Sequence, residues 1–295
     1  MKLSEKSKSK KVDDIVKQDL SIKANFSGVY GIQLLFKEKG EMPSSNDTAE
    51  KLKQKLGDVD IVTDSTAMKC FALKEHTVAF NKSQEYPAQL IIAGFNPIKD
   101  DIADSIAITQ FWDCPNGVEL LESCSWQVMI SDFMAGHLPE LERAEILADW
   151  VEIALELFPN CVAVYYMASG KLLTAAALRN NPYEGSLRFF YGGVNARFFN
   201  IQGTEDMVVD TLGMYALGLP DMQYHFHTLT PDDIVTHAYN AAIYQFEHGV
   251  PMESGDTIDG LNTDERWECQ YEDSLIQPLR TVLDVNTGKY TSGKR

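Results

Sequence analysis

Residues 139–158 read PELERAEILADWVEIALELF, from Pro139 to Phe158, and this periodicity decides the fold class. Leu147, Trp150, Val151, Ala154 and Phe158 recur at the spacing of one helical face, so they form a single apolar stripe. Glu145, Asp149, Glu152 and Glu156 form an acidic stripe on the opposite side. Upstream, Ser125–Phe133 reads as a strand. Downstream, Pro159-Asn160 ends the helix, and Cys161–Met167 reads as a buried strand with almost no polar residue. The unit is strand–helix–strand.

The same order appears nearer the N-terminus. Phe26–Phe36 is rich in Val, Tyr, Ile, Leu and Phe and predicts a strand. Pro43–Asp47 is a turn and cap cluster. Thr48–Leu56 predicts a helix with Ala49, Leu52 and Leu56 on one face, stopped by Gly57. Strands follow at Val59–Thr63, Met68–Leu73, Thr77–Phe80 and Gln89–Phe95. Two such cycles predict an α+β protein, with mixed or antiparallel sheets and packed helices. They suit two ferredoxin-like, split βαβ halves over about 26–120 and 121–287, within one compact domain spanning 24–287.

The last third predicts strands at Leu187–Tyr191 and Ala196–Ile201 around Gly192-Gly193. Phe189, Phe190, Tyr191, Phe198 and Phe199 are then the core of a hairpin. Met222–His227 predicts a further strand. Thr230, Pro231, Asp232 and Asp233 open a helix whose stripe is Val235, Tyr239, Ala242 and Phe246, and Gly249 closes it. An acidic loop over Met252–Arg266 leads to final strands at Trp267–Gln270 and Thr281–Val285.

Charge is the strongest compositional signal. The chain of 295 residues carries a formal net charge of −17. Residues 1–23 hold seven Lys against four acids and read as a flexible basic arm; residues 288–295 read as a short basic tail. The body between them, 24–287, has a net charge of −23. A surface this negative repels phosphates and anionic lipid, which excludes nucleic-acid and membrane partners and suits a basic protein partner or solubility alone. No apolar run is long enough to span a bilayer, and the N-terminal stretch lacks the apolar core of a secretory signal. Cys70, Cys114, Cys124, Cys161 and Cys269 are odd in number and without C-x-x-C spacing, so they read as free thiols in a reducing, cytoplasmic compartment.

Asp221, His225 and His227 are the candidate metal-ligating set. Side chains alternate along a strand, so Gln223, His225 and His227 share one face and Met222, Tyr224 and Phe226 the other. An H-x-H pair with a carboxylate is a ligand set for a divalent transition metal, and His237 on the next helix is placed to approach it. The competing reading is a wet or hydrogen-bonded polar face. The stripe Glu145, Asp149, Glu152, Glu156 is the candidate landing surface for a basic partner, against the plainer reading of a solvated helix face. Glu253–Glu265 lacks the residue order of a calcium loop, Gly213 and Gly218 are not followed by the Lys of a phosphate loop, and there is no G-x-S-x-G elbow or G-x-G-x-x-G turn. No cofactor is predicted beyond that metal.

The stretch from Asp210 to His227, DTLGMYALGLPDMQYHFH, followed by the helix over Pro231–Phe246, resembles the C-terminal part of a bacterial family known as domain of unknown function 4261. Members pair a TLG…ALGLPD stretch with a following strand and helix. The Ser125–Met167 unit and the turn Ser169-Gly170-Lys171 also look similar, so the resemblance covers roughly residues 27–285. The family's name carries no reaction, so it implies no catalytic residue. Three functions follow as expectations. The first is a non-enzymatic acidic interaction module, inhibitor or immunity-like. The second is a metal-assisted hydrolase built on Asp221, His225 and His227. The third is a regulatory module that binds a small molecule between its two halves.

Overall fold

Each strand that is buried on both faces must send its alternate side chains into two different cores. Here that rule sorts the whole molecule. In the computed structural model, which describes residues 28–81, 84–99, 101–249, 252–262 and 264–293, the chain is α+β with two mixed or antiparallel sheets. The expected basic arm, 1–23, lies outside the described residues.

The strands are β1 (Gly31–Phe36), β2 (Val59–Asp64), β3 (Met68–Asn81), β4 (Gln84–Ala93), β5 (Asn96–Pro97), β6 (Trp126–Phe133), β7 (Ala163–Tyr166), β8 (Lys171–Thr174), β9 (Asn195–Asn200), β10 (Met207–Leu212), β11 (Asp221–Phe226), β12 (Thr257–Asp259), β13 (Arg266–Asp273) and β14 (Thr281–Asn286). The helices are α1 (Ser45–Leu56), α2 (Ser105–Ile108), α3 (Gly117–Glu122), α4 (Glu140–Leu157), α5 (Ala175–Arg179), α6 (Leu187–Gly193) and α7 (Pro231–His248). The first sheet runs β2-β3-β4-β6-β1-β7-β8, with β5 beside β6. The second runs β12-β13-β14-β11-β10-β9.

The first sheet does not divide near residue 120. β1 sits between β6 and β7, antiparallel to both, with Leu34 opposite Val128 on one side and Val164 on the other. The two expected halves therefore share one sheet. Burial goes with that position: Ile32 and Leu34 on one face of β1 and Leu35 on the other are all fully buried. Leu35 joins Ala163, Tyr165, Phe111 and Leu172 in a small core covered by the segment bearing α2 and α3. Ile32, Leu34 and Phe36 enter the large core, which runs continuously through both sheets.

α4 is the central pillar of that large core. Leu147, Trp150, Val151, Ala154 and Phe158 are all buried, as the periodicity requires, and the Trp150 ring meets Phe71 edge-on at 6.5 Å between centroids. Ile146, Ile153 and Leu155 are buried too, because α1, α5 and α6 pack around the same helix. A buried ion pair ties α4 to its neighbours. Arg143 Nε donates to Asp132 Oδ2 at 2.6 Å, and its Nη1 donates to the Ala216 carbonyl at 3.1 Å.

Three local expectations change. Leu187–Gly193 is the helix α6, not a strand, so the five aromatics do not make a hairpin; Phe189 and Phe190 pack inward and Gly192-Gly193 ends the helix. In α7 the buried face is Ile234, Ala238, Ala242, Gln245 and Phe246. It lies about one position round from the expected stripe, because the helix packs across β9, β10 and β11 and leaves Val235 and Tyr239 half exposed. The tail does not fray over 288–293. Thr291 bridges Phe226, His227 N donates to the Tyr290 carbonyl at 2.9 Å, and Ser292 N donates to the His225 carbonyl at 2.9 Å. These contacts pair backbone that β11 would otherwise leave open.

The chain just after β10 passes close to the end of α6. Gly213 adopts φ 138°, and a Cβ there would stand 2.0 Å from the Gly193 carbonyl oxygen. Only glycine fits that approach. It brings the end of β10 against the end of α6.

Candidate functional site

A cavity of about 680 Å3 opens between β8, β9, the start of α7 and the loop that joins α2 to α3. Its walls are aromatic: Trp112, Tyr183, Tyr191, Phe198 and Tyr239. Lys171, Asp113 and Asp232 bring charge to it.

Local sequence explains the placement. The turn Ser169-Gly170 reverses the chain between β7 and β8, with Gly170 at φ 62°, and delivers Lys171 to the first position of β8. Lys171 is only 4 % exposed, yet its stem would have to end in a charge. Its Nζ donates to the Val194 carbonyl at 3.1 Å and to Asp113 Oδ2 at 2.9 Å. It also stands 5.4 Å from the Tyr191 ring centroid and 6.0 Å from that of Tyr239. Burial holds this ammonium below the usual lysine range, and Asp113 opposes the shift. Burial also pushes the Tyr191 and Tyr239 hydroxyls up, so both are neutral phenols near pH 7.

The wall that carries Trp112 and Asp113 is a loop, and a loop needs an anchor to present side chains precisely enough for binding. Gln110 supplies it. Its Nε2 donates to the Phe198 carbonyl at 3.1 Å, and its Oε1 accepts from Phe198 N at 2.9 Å. The amide thus imitates a neighbouring strand on the free edge of β9. The same Oε1 accepts from Trp112 Nε1 at 3.1 Å, which fixes the indole at the mouth, 57 % exposed. On the opposite side, Asp232, Val235 and Tyr239 follow each other along α7, one turn or less apart.

The metal candidates are placed elsewhere. Asp221 is fully buried. Its carboxylate accepts from Arg280 Nε at 2.9 Å, Met214 N at 3.1 Å and Thr211 Oγ1 at 3.3 Å. Burial pushes this carboxyl up, with Arg280 opposing. Arg280 Nη2 reaches Asp210 Oδ2 at 2.8 Å, and Arg197 pairs with both oxygens of Asp210 at 2.8 and 2.6 Å. Asp221 is therefore a structural acceptor at one end of β11. His225 lies four residues on, about 13 Å along an extended strand, too far to share an ion with it. His225 Nε2 faces Asp206 Oδ2 at 3.8 Å, and His227 Nδ1 contacts Thr228 Oγ1 at 3.2 Å. His237 sits on the other side of β11, where Nδ1 accepts from the Tyr224 hydroxyl at 2.8 Å and Nε2 donates to the Asp259 carbonyl at 2.7 Å. Among the described residues, no group of three or more His, Cys, Asp or Glu could hold a metal ion. The loop 274–280 covers the polar face of β11 at Gln223, where Leu275 N donates to Gln223 Oε1 at 2.7 Å, while His225 and His227 farther along the face stay partly exposed.

The acidic stripe of α4 does not point to bulk solvent along its length. Arg188 Nη1 bonds Asp149 Oδ1 and Glu152 Oε1, both at 2.8 Å. Lys55 reaches Asp149 at 3.4 Å and also binds Glu152, and Lys51 binds Glu156 at 2.5 Å. α1 and α6 have supplied the basic partners from within the chain. Glu145 remains exposed.

Sequence reasoning did not single out Gln110, Trp112, Asp113, Tyr183 or Tyr239 as a site, since they are scattered over 130 positions. Lys171 left one trace: a lysine just past the turn that follows a buried apolar strand, and directly before Leu172-Leu173, is an unusual place for a charge.

No helix among the described residues is long and apolar enough to cross a membrane. Neither the curated proteins nor the solved structures contain a match to this chain. A family match does exist, and it falls where the resemblance was strongest: residues 210–286, from β10 to β14, match the family described as Domain of unknown function (DUF4261).

Proposed function

We propose that the protein is a small-molecule-binding module whose ligand occupies the cavity walled by Trp112, Tyr183, Tyr191, Phe198 and Tyr239. One observation carries this reading: a cavity of about 680 Å3, walled by five aromatic side chains, converges on a buried lysine, Lys171, paired with the half-exposed Asp113. Concave apolar walls with a few fixed polar groups are what a ligand site needs, because the walls supply desolvation and the polar groups supply orientation. The volume suits an organic molecule of metabolite size. Five buried free thiols support a reducing compartment for it, which is the cytoplasm of a bacterial cell.

The test is a thermal-shift screen of aromatic and heteroaromatic metabolites against the wild type and an Ala196→Trp variant, in which the added indole fills the cavity. A ligand present at 100 times its Kd should stabilise the wild type by about 2.7 kcal/mol and leave the variant unmoved. Ligands that shift both proteins equally, or none that shift the wild type, would refute the assignment.

An interaction module for a basic protein is a second reading, favoured by the net charge of −23 on the body. Its surface would lie outside the paired residues of α4, and Glu145 is the one member of that stripe that it would still use. Affinity capture at low and moderate salt tests it: a stoichiometric basic partner, lost as salt rises, is the expected result.

A further inference from the structure

We propose that Lys171 captures a carbonyl compound in this cavity, its Nζ condensing with an aldehyde or ketone of the ligand to form an imine while Asp113 moves the proton. The proposal rests on the cavity being a ligand site and names the chemistry of that ligand.

Charge in the cavity argues for a neutral electrophile. A cationic ligand would meet the ammonium that the chain itself already holds against Tyr191 and Tyr239. An anionic ligand would have to displace Asp113 from Lys171 inside a body of net charge −23. A neutral carbonyl does neither. Its apolar body can lie on the aromatic walls while its carbon meets Nζ.

The geometry supplies the parts of the reaction. A lysine is a nucleophile only as the free amine, and desolvation in an apolar pocket is a standard way to reach that form. Lys171 is buried, and Asp113 stands 2.9 Å from Nζ. One proton moving from Nζ to Asp113 Oδ2 turns the ion pair into an amine and a carboxylic acid. That transfer creates no net charge in the cavity. The amine lone pair then attacks the carbonyl carbon, and the carbonyl oxygen takes the proton from Asp113 to become the carbinolamine hydroxyl. The nitrogen returns a second proton to Asp113, which passes it to the hydroxyl as that group leaves as water, and a protonated C=N bond forms beside the Asp113 carboxylate. The balance is ammonium plus carbonyl giving protonated imine plus water, with no oxidant or reductant. Asp113, with a half-exposed side chain, faces both Nζ and the opening through which the water departs. The Val194 carbonyl, at 3.1 Å, accepts from Nζ and fixes where the lone pair can point.

Borohydride-type trapping tests this directly on the full chain. The protein is incubated with benzaldehyde and sodium cyanoborohydride, and the benzylated lysines are located by peptide mass spectrometry. Benzyl alcohol, which fills the same space but cannot condense, is the competitor. Lys171 should be labelled at least about tenfold faster than any exposed lysine, as expected of an activated amine. Benzyl alcohol should suppress that labelling alone. Asp113→Asn should slow labelling at Lys171 without changing the rate at exposed lysines, and Ala196→Trp should abolish the selectivity. Benzylation spread over the exposed lysines with Lys171 no faster would overturn the proposal. If benzyl alcohol still raises the melting temperature of the wild type in that case, and not that of Ala196→Trp, the cavity remains a ligand site and only the covalent step falls. If benzyl alcohol has no effect on either protein and no compound in the screen binds, both readings fall together.

Discussion

Replacing Arg280 by Met removes the hub of the buried polar layer under the loop 274–280. The guanidinium, 2 % exposed, binds Asp221 through Nε at 2.9 Å and Asp210 through Nη2 at 2.8 Å. It also donates to the carbonyls of Thr211 at 2.7 Å, Ile276 at 3.1 Å and Pro278 at 3.0 Å. Asp210 keeps its two bonds from Arg197, so it stays paired. Asp221 keeps only hydroxyl and backbone donors and becomes a buried carboxylate with no cation beside it. Removing one partner of a buried pair costs about 3–5 kcal/mol. At about 2–4 °C per kcal/mol for a chain of this size, the melting temperature should fall by about 6–20 °C. The loss should depend on pH in a stated direction. Burial pushes the Asp221 carboxyl up, and Arg280 opposes that push. Without Arg280 the folded-state value rises further, so the folded variant takes up a proton more readily than the unfolded chain. A group with a raised folded value contributes most at low pH and loses that contribution as pH rises through it. The deficit of the variant against the wild type should therefore be smaller at pH 5 than at pH 8. Urea unfolding at both values measures it, and Arg280→Met/Asp221→Asn, which leaves no buried charge unpaired at that end, should recover part of the loss. A deficit below about 1 kcal/mol, or one equal at both pH values, would refute this account of the layer.

Trp150→Ala should cost about 3–5 kcal/mol, since the ring is fully buried against Phe71 at the centre of the large core; an unchanged urea midpoint would contradict that packing. Asp149→Asn/Glu152→Gln should destabilise by about 0.5–2 kcal/mol and less at high salt, because these half-buried carboxylates pair with Arg188 and Lys55, while Glu145→Gln should be silent in the same titration. For His237, burial lowers the folded value below the ordinary 6.5, with the Asp259 carbonyl opposing. Its contribution is fully present above about pH 6.5 and is lost as pH falls towards and through the folded value. His237→Gln should flatten the stability–pH curve in that window, and a parallel curve for wild type and variant would remove the assignment.

The sequence by itself determined the α+β class and the central helix. Those signals are local: the face of α4 is written in Leu147, Trp150, Val151, Ala154 and Phe158, and any buried helix must satisfy it. It also carried the TLG…ALGLPD stretch that proved to begin the family match. Segments dominated by aromatics and glycine were harder to read. Leu187–Tyr191 has the composition of a strand, yet Gly192-Gly193 and the close approach of Gly213 favour a short helix that tucks Phe189 and Phe190 inward. Tertiary structure alone decided strand order, because β1 enters between β6 and β7 from more than 90 residues away. It also decided which charges are free. The acids of α4 look solvated along one helix, but their partners Lys55 and Arg188 arrive on α1 and α6. Asp221 and His225 share a face, but an extended strand holds them about 13 Å apart. The cavity was the least legible feature of all. Lys171, Asp113, Trp112 and Tyr239 meet only because Gln110 pins a loop to the edge of β9 and α7 turns Tyr239 outward, and no local periodicity encodes a convergence of four separate segments.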